Sequence, residues 1–339
     1  MLYTEYAPQL VCRKMKREDF LREYVSHMKI DSTMSVDQLI QKFDASGSFG
    51  AGRVATACDI FEKMIRDKNC TVFLTVAGAI VPAGLRTVIA DLIRKQRVDV
   101  VVSTAANMVH DLIEAFGGHH YKGHYLVDDF TLYKYHIYRI YDIFVTEEDY
   151  IKLDAGLSDM FDEIAKDTNN QPLATHEFVW EIGKRLKDPN SIVRAAYETK
   201  TPLFLPAIRD SEFGFIYWMY QQRTKSKKLL QVDAFKEVSE IMNIASNSDR
   251  LGMVVLGGGV PRNTVQHAAV TAKRGLDYAV IITMDRPETG GLSGSTLEET
   301  ISWGKVKRTA AKVMVIGDVL IVFPLMVSSL EERLKRRPM

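Results

Sequence analysis

Met253-Val254-Val255-Leu256-Gly257-Gly258-Gly259 is an apolar run that ends in three glycines. Apolar residues at successive positions suit a strand buried on both faces, as strands of a parallel sheet are. Glycines placed directly after it allow a tight turn and bring the backbone close to a ligand. A helical pattern follows from about Asn263 to Arg274 and stops at Gly275.

The same strand, small-residue turn and helix recur on either side. Residues 71–76 lead into Ala77-Gly78-Ala79 and an amphipathic stretch over 85–95. Residues 98–102 lead into Ser103-Thr104-Ala105-Ala106-Asn107 and a helix that runs to Phe116. Leu203-Phe204-Leu205 leads into Pro206-Ala207-Ile208-Arg209-Asp210, and 278–283 and 313–316 read as two further strands. Strands alternating with helices imply right-handed crossovers. The expected fold is therefore α/β, a three-layer, mostly parallel, doubly wound Rossmann-like sheet with helices on both faces. One domain is expected over 1–339. Within it, 1–45 reads as an irregular or helical N-terminal extension with a short helix at 36–43, and 125–200 as a mostly helical insertion.

Composition narrows the function. The chain has 339 residues, 46% hydrophobic and 26% charged, which excludes a disordered or collagen-like protein. Its 44 basic and 43 acidic side chains give a net charge of +1, so nothing favours nucleic acid or an anionic membrane as partner. Cys12, Cys58 and Cys70 are odd in number and widely spaced, and read as reduced, buried residues. The apolar run over 313–327 is interrupted by Gly317-Asp318 and Pro324, too short for a bilayer span. No signal pattern opens the sequence, and a cytoplasmic protein is expected.

Ligands of an open parallel sheet bind outside the carboxyl ends of the strands. That rule collects the small-residue turns. The triple glycine presents a helix N-terminus suited to a phosphate, although its spacing lacks the dinucleotide fingerprint. Asp210 and Asp318 each follow a strand, where a carboxylate serves as ribose acceptor or as helix cap. A second cluster spans 288–305. Thr296-Leu297-Glu298-Glu299 reads as a capping box, and Glu299 and Trp303 share a helix face. Lys305 points elsewhere on that helix unless Gly304 ends it. A lysine beside a large aromatic in a dry site is what a Schiff-base nucleophile needs, whereas on a surface it is only a solvated cation. His119, His120 and His124 complete no metal-ligand spacing and read as solvated or locally bonded; no metal is expected. The basic tail from Leu330 to Arg337 reads as a solvated helix face or a subunit contact.

Ser302-Trp303-Gly304-Lys305, with Glu299 upstream and Leu256-Gly257-Gly258-Gly259 before it, resembles the deoxyhypusine synthase family. Residues 98–104, 206–210 and 322–325 are similar to further family segments, the last to a closing strand. The likeness runs from about Gly47 to Ser328. It implies an NAD-dependent enzyme that oxidises spermidine and holds its aminobutyl group as an imine on Lys305. The group then passes to a lysine of the hypusine-bearing translation factor. It also implies a homotetramer with sites at a subunit interface. By the same resemblance, Trp303 packs on the polyamine and Glu299 pairs with one of its nitrogens. Thr104, Ala105, Asp210, Gly258, Gly259, Ser293 and Asp318 match cofactor contacts.

The sequence also departs from the family pattern. Asn263 stands where family members have a histidine, Phe215 and Leu292 where they have aspartates, and His110 where they have a glutamate. Desolvated ammonium groups need counter-charge. These positions therefore imply a smaller, less charged or differently spaced amine in contact with Asn263, Phe215 and Leu292. His267, one helical turn on, is a second candidate to replace the lost histidine. Gly290-Gly291-Leu292-Ser293-Gly294 resembles a divergent prokaryotic branch. Three readings are open: deoxyhypusine synthesis, a homospermidine-synthase-like transfer between small amines through the same lysine, and a non-catalytic NAD-binding oligomer.

Overall fold

The computed structural model describes residues 17–224 and 230–336. Six strands form one parallel sheet: β1 (Cys70–Val76), β2 (Val100–Ser103), β6 (Leu203–Phe204), β7 (Arg250–Leu256), β8 (Leu276–Thr283) and β9 (Val306–Ile316). β3 (Tyr121–Lys122), β4 (Ile137–Ile140) and β5 (Ile143–Thr146) make a small antiparallel sheet of their own. The main sheet has the order β6-β2-β1-β7-β8-β9. Counted in chain order within that sheet, this is the doubly wound 3-2-1-4-5-6 arrangement. The order reverses between β1 and β7, which pair in register from Cys70↔Arg250 to Val76↔Leu256.

Successive strand residues point to opposite faces, and here both faces are buried. Leu74, Val76, Val254, Leu256, Val280 and Ile282 join one core with the helices Phe49–Arg66, Ala105–Ala115 and Val319–Arg336. Phe73, Met253, Val255, Ala279 and Ile281 join the other, beneath the helices Ala234–Asn247 and Gly259–Thr271. This is the three-layer α/β sandwich expected from the apolar strand runs.

Three details differ from expectation. Residues 322–325 are not a closing strand; they lie inside the helix Val319–Arg336. Asp318 caps it, its carboxylate accepting from the Leu320 N–H at 2.7 Å. Val319, Val322, Phe323, Met326, Leu330 and Leu334 are buried at helical spacing. Pro324 removes a single backbone bond near the start of that helix, where the apolar stripe outweighs the loss. The segment 125–200 is helical over most of its length but also holds the β4–β5 hairpin. Finally, the basic C-terminal helix face is an intramolecular contact: Arg333 Nε lies 2.6 Å from Asp37 Oδ1, and Arg336 Nη1 lies 2.9 Å from Asp37 Oδ2. Arg337 and Cys12 fall outside the described residues. Cys58 and Cys70 are free and buried, and burial pushes both thiols up to about 12.

Candidate active site

The placement of Lys305 follows from a helix ending. In the helix Leu297–Ser302, Thr296 Oγ1 accepts from the Glu299 N–H at 3.1 Å, the half of the expected capping box that the structure records. Gly304 then adopts φ +69°. Its N–H donates to the Ile301 carbonyl at 2.9 Å, and the Lys305 N–H reaches back to Thr300 at 3.1 Å. That pair of bonds is a Schellman ending, which favours glycine at the left-handed position. The chain reverses there and enters β9, and the Lys305 carbonyl accepts from the Leu276 N–H at 3.0 Å. Lys305 thus stands at the amino end of β9, not at the carboxyl edge where the turns gather. Its long side chain carries the amine into a cleft along the helix Gly259–Thr271.

The cleft has a volume of about 280 Å³ and is lined by Asn263, Leu292, Glu299, Trp303 and Lys305, together with Arg262, Gln266 and His267. Lys305 Nζ donates to Asn263 Oδ1 at 3.0 Å and lies 5.5 Å from the centre of the Trp303 ring. Trp303 is 66% exposed and Leu292 48%, so both offer apolar surface to an incoming chain. Burial holds the Lys305 ammonium below its ordinary range; Arg262 adds to that effect and Glu299 opposes it. His267 is also held down, by burial first and then by Lys305. A lysine so placed carries more free amine near neutral pH, the form that attacks a carbonyl or imine carbon.

Arg262 is a cleft residue that sequence reasoning did not single out. It is 1% exposed, yet it lines the cleft. Its guanidinium donates to the carbonyls of Leu292 at 3.0 Å, Ser293 at 3.3 Å and Ser295 at 2.8 Å. Burial lowers its pKa to about 10, against the pull of Glu299. The sequence does hold a signal: Arg262 and Gln266 are four apart on a helix, hence on one face, beside Asn263.

Phe215 is not among the residues of the Lys305 cleft. It is exposed on the helix Glu212–Arg223, in a separate depression with Arg209, Gly214 and Trp218. The helix that carries it is capped by Ser211 and follows the edge strand β6, while Lys305 directly precedes β9, the opposite edge strand.

The expected cofactor positions gather at the carboxyl edge. Thr104 and Ala105 follow β2, Asp210 follows β6, Gly258 and Gly259 follow β7, and Asp318 follows β9. Ser293 joins them from the β8–β9 connection, its hydroxyl accepting from the Gly259 N–H at 3.1 Å. Gly258 has φ +129°, and a Cβ there would stand 2.7 Å from Ser293 Cα. No other residue type gives this approach. The turn sits at the point where strand order reverses and opens a helix of thirteen residues. Side-chain-free backbone at a helix N-terminus, with exposed Asp210 and Asp318 at neighbouring strand ends, could hold the phosphates and ribose hydroxyls of a dinucleotide.

Elsewhere His120 and His124 are locally bonded and His119 is exposed, within the expected readings. His110 Nδ1 lies 2.9 Å from His120 Nε2, and His120 Nδ1 lies 2.8 Å from Glu114 Oε1. Burial, with His120 beside it, takes His110 down to about 4. Among the described residues no group of three or more His, Cys, Asp or Glu side chains could hold a metal ion.

Fold and cleft together define a doubly wound α/β protein with a glycine turn at its switch point and a partly buried lysine reaching the helix that the turn opens. Comparison with known proteins gives this class a family. The family profile described as deoxyhypusine synthase matches residues 38–330. "Probable deoxyhypusine synthase 1" of Methanosarcina acetivorans is 42% identical over 313 residues, covering 92% of this chain and 96% of the relative. "Probable deoxyhypusine synthase 2" of Archaeoglobus fulgidus is 40% identical over 294 residues, covering 84% and 95%. A crystal structure of a deoxyhypusine synthase candidate from Entamoeba histolytica shares the fold, with a TM-score of 0.62, 20% identity, and coverage of 90% of this chain and 96% of that one. The chain belongs to the deoxyhypusine synthase family. Among the described residues no helix is long and apolar enough to cross a membrane.

Proposed function

We propose that the protein is an NAD-dependent aminoalkyl transferase of the deoxyhypusine synthase type, with Lys305 as its covalent carrier. The observation that carries this reading is the Lys305 amine itself. It is partly buried, bonded to Asn263, flanked by Trp303, and set in a cleft along the helix that the glycine turn opens.

NAD, when bound, supplies the hydride acceptor for the carbon next to spermidine's secondary amine and later returns the hydride. Thr104, Ala105, Asp210, Gly258, Gly259, Ser293 and Asp318 would hold it. The free amine of Lys305 attacks the oxidised donor's imine carbon. The remaining diamine leaves with the electrons of the broken C–N bond and one proton, and the aminobutyl fragment stays as an imine on Lys305. A lysine of the hypusine-bearing translation factor attacks that imine carbon and frees Lys305. Splitting one transfer into two displacements is what a covalent carrier contributes. Asn263 Oδ1 orients the amine, Trp303 covers the alkyl chain, and Glu299 neutralises one ammonium. In this reading the chain works as a cytoplasmic homotetramer.

A second reading is favoured by a specific observation. Asn263 and Leu292 are neutral where the family carries ionisable groups, which leaves Glu299 as the carboxylate of the cleft. Transfer to a small amine, as in homospermidine synthesis, needs less counter-charge. One experiment separates these readings. The protein is incubated with NAD and, in turn, spermidine, putrescine and agmatine, reduced with borohydride, and digested. An aminobutyl adduct on the Lys305 peptide from spermidine supports deoxyhypusine-type chemistry. An adduct from putrescine or agmatine alone supports the small-amine reading. No adduct and no reduced cofactor with any amine overturns both.

A further inference from the structure

Arg262 has an unusual position for a charged side chain. It is fully buried among the described residues, and its hydrogen-bond partners are backbone carbonyls, not carboxylates. A guanidinium is permanently charged, and burying one without a counter-ion costs several kcal/mol. Such a group persists where the charge or its fork geometry is used. Here it touches both. The fork grips Leu292, Ser293 and Ser295, the wall of the cleft facing Lys305. The next residue along the helix, Asn263, holds the Lys305 amine at 3.0 Å. Its Nε is buried without a partner, so the guanidinium is not spent on neutralising an acid.

We propose that Arg262 is a positioning residue with two separable tasks: its fixed charge keeps the Lys305 amine free for attack, and its fork holds the Leu292–Ser295 wall in place. The inference rests on Lys305 acting as the nucleophile. The other titratable groups facing the amine are His267, from the same helix, and Glu299, from the helix across the cleft. His267 is held down by burial and by Lys305, so near neutral pH it adds little charge. Glu299 acts in the opposite sense to Arg262. Burial contributes most to the amine's lowered titration, and these two charges adjust it in opposite senses, so removing either should move it in a known direction.

The test uses a probe that needs neither cofactor nor donor. The full-length protein is treated with propanal and cyanoborohydride across a range of pH, and alkylation of Lys305 is read by peptide mass. In R262Q the half-maximal pH should rise. Each unit of rise lowers the free-amine fraction, and hence the rate, about tenfold on the acid side of the transition. At high pH the rate should recover. R262K keeps the charge and should keep the wild-type half-maximal pH, while the wall loosens and KM for the amine donor rises. E299Q should shift the half-maximal pH downward. A wild-type profile in R262Q, or a loss in R262Q that no pH restores while R262K titrates as wild type, overturns the proposal. If Lys305 in the wild-type protein reacts no faster than surface lysines, the reading of Lys305 fails first.

Discussion

Lys305 and arginine differ in one property that matters here: lysine can lose its proton and arginine cannot. Lys305→Arg keeps length and charge but removes the nucleophile, and Lys305→Ala removes the side chain. Both variants should fall below about a thousandth of the wild-type transfer rate, the scale of losing a covalent nucleophile. NAD affinity, measured by protein fluorescence quenching, should be unchanged, because no cofactor position is touched. Retained transfer in Lys305→Ala would end the imine reading. Lys305, Trp303 and Glu299 are singled out in the sequence through the Ser302–Lys305 motif and its resemblance to the family, and Asn263 through that resemblance alone. Arg262 is harder to read: its shared helix face with Gln266 is a sign of position, but not of its being 1% exposed. Phe215 lies apart from the Lys305 cleft, in a depression with Arg209 and Trp218, because a position matched by resemblance carries no distance.

The ending of the short helix before β9 shows how one glycine aims the Lys305 side chain. Gly304→Ala must hold a Cβ at φ +69°, 3.2 Å from Val270 Cγ2. The left-handed conformation alone costs about 1–2 kcal/mol. The unfolding free energy from denaturant titration should drop by that amount. Trapping at Lys305 should fall more steeply than stability does, because the amine leaves Asn263. Gly304→Asn, which tolerates left-handed backbone, should recover most of the stability. If trapping in Gly304→Ala survives unchanged, the Schellman ending does not aim the lysine. The strands were legible for a simple reason: apolar residues at consecutive positions leave no polar face for solvent. The helix Val319–Arg336 was legible only at its basic end, because the family resemblance matches 322–325, with Pro324, to a closing strand. Burial at three- and four-residue spacing prevails over local propensity there. The β4–β5 hairpin was hidden for a similar reason, its short strands lying between longer helical patterns.

Connections between distant parts of the chain are carried by a few buried carboxylates. Asp111, fully buried, accepts from Arg86 Nε at 2.6 Å, from Ser191 Oγ at 2.7 Å and from the N–H groups of Ile192 and Val193 at 3.0 Å. It fastens the helix Ile192–Thr199 to the helix after β2. Asp37, 1% exposed, does the same between the helix Val36–Ser46 and the C-terminal helix. It accepts from Arg333 Nε at 2.6 Å, Ser329 Oγ at 2.8 Å, Gln41 Nε2 at 2.9 Å and Arg336 Nη1 at 2.9 Å. Burial works against its charged form, but the bonds from Arg333 and Ser329 outweigh it and hold the carboxyl below its ordinary 3.8. A carboxyl depressed in the folded state binds fewer protons there than in the unfolded chain. Its contribution is therefore complete above the unfolded pKa and fades as pH falls below about 4. Asp37→Asn keeps the shape and removes the charge. At neutral pH it should cost about 2–4 kcal/mol, since Arg333 retains Asp59 at 2.6 Å and Glu62 at 3.2 Å. Urea unfolding of wild type and variant across pH should show the two stabilities converging only on the acid side of 4. A gap that stayed constant down to acid pH would mean that the contact's worth lies in hydrogen-bond geometry and not in charge.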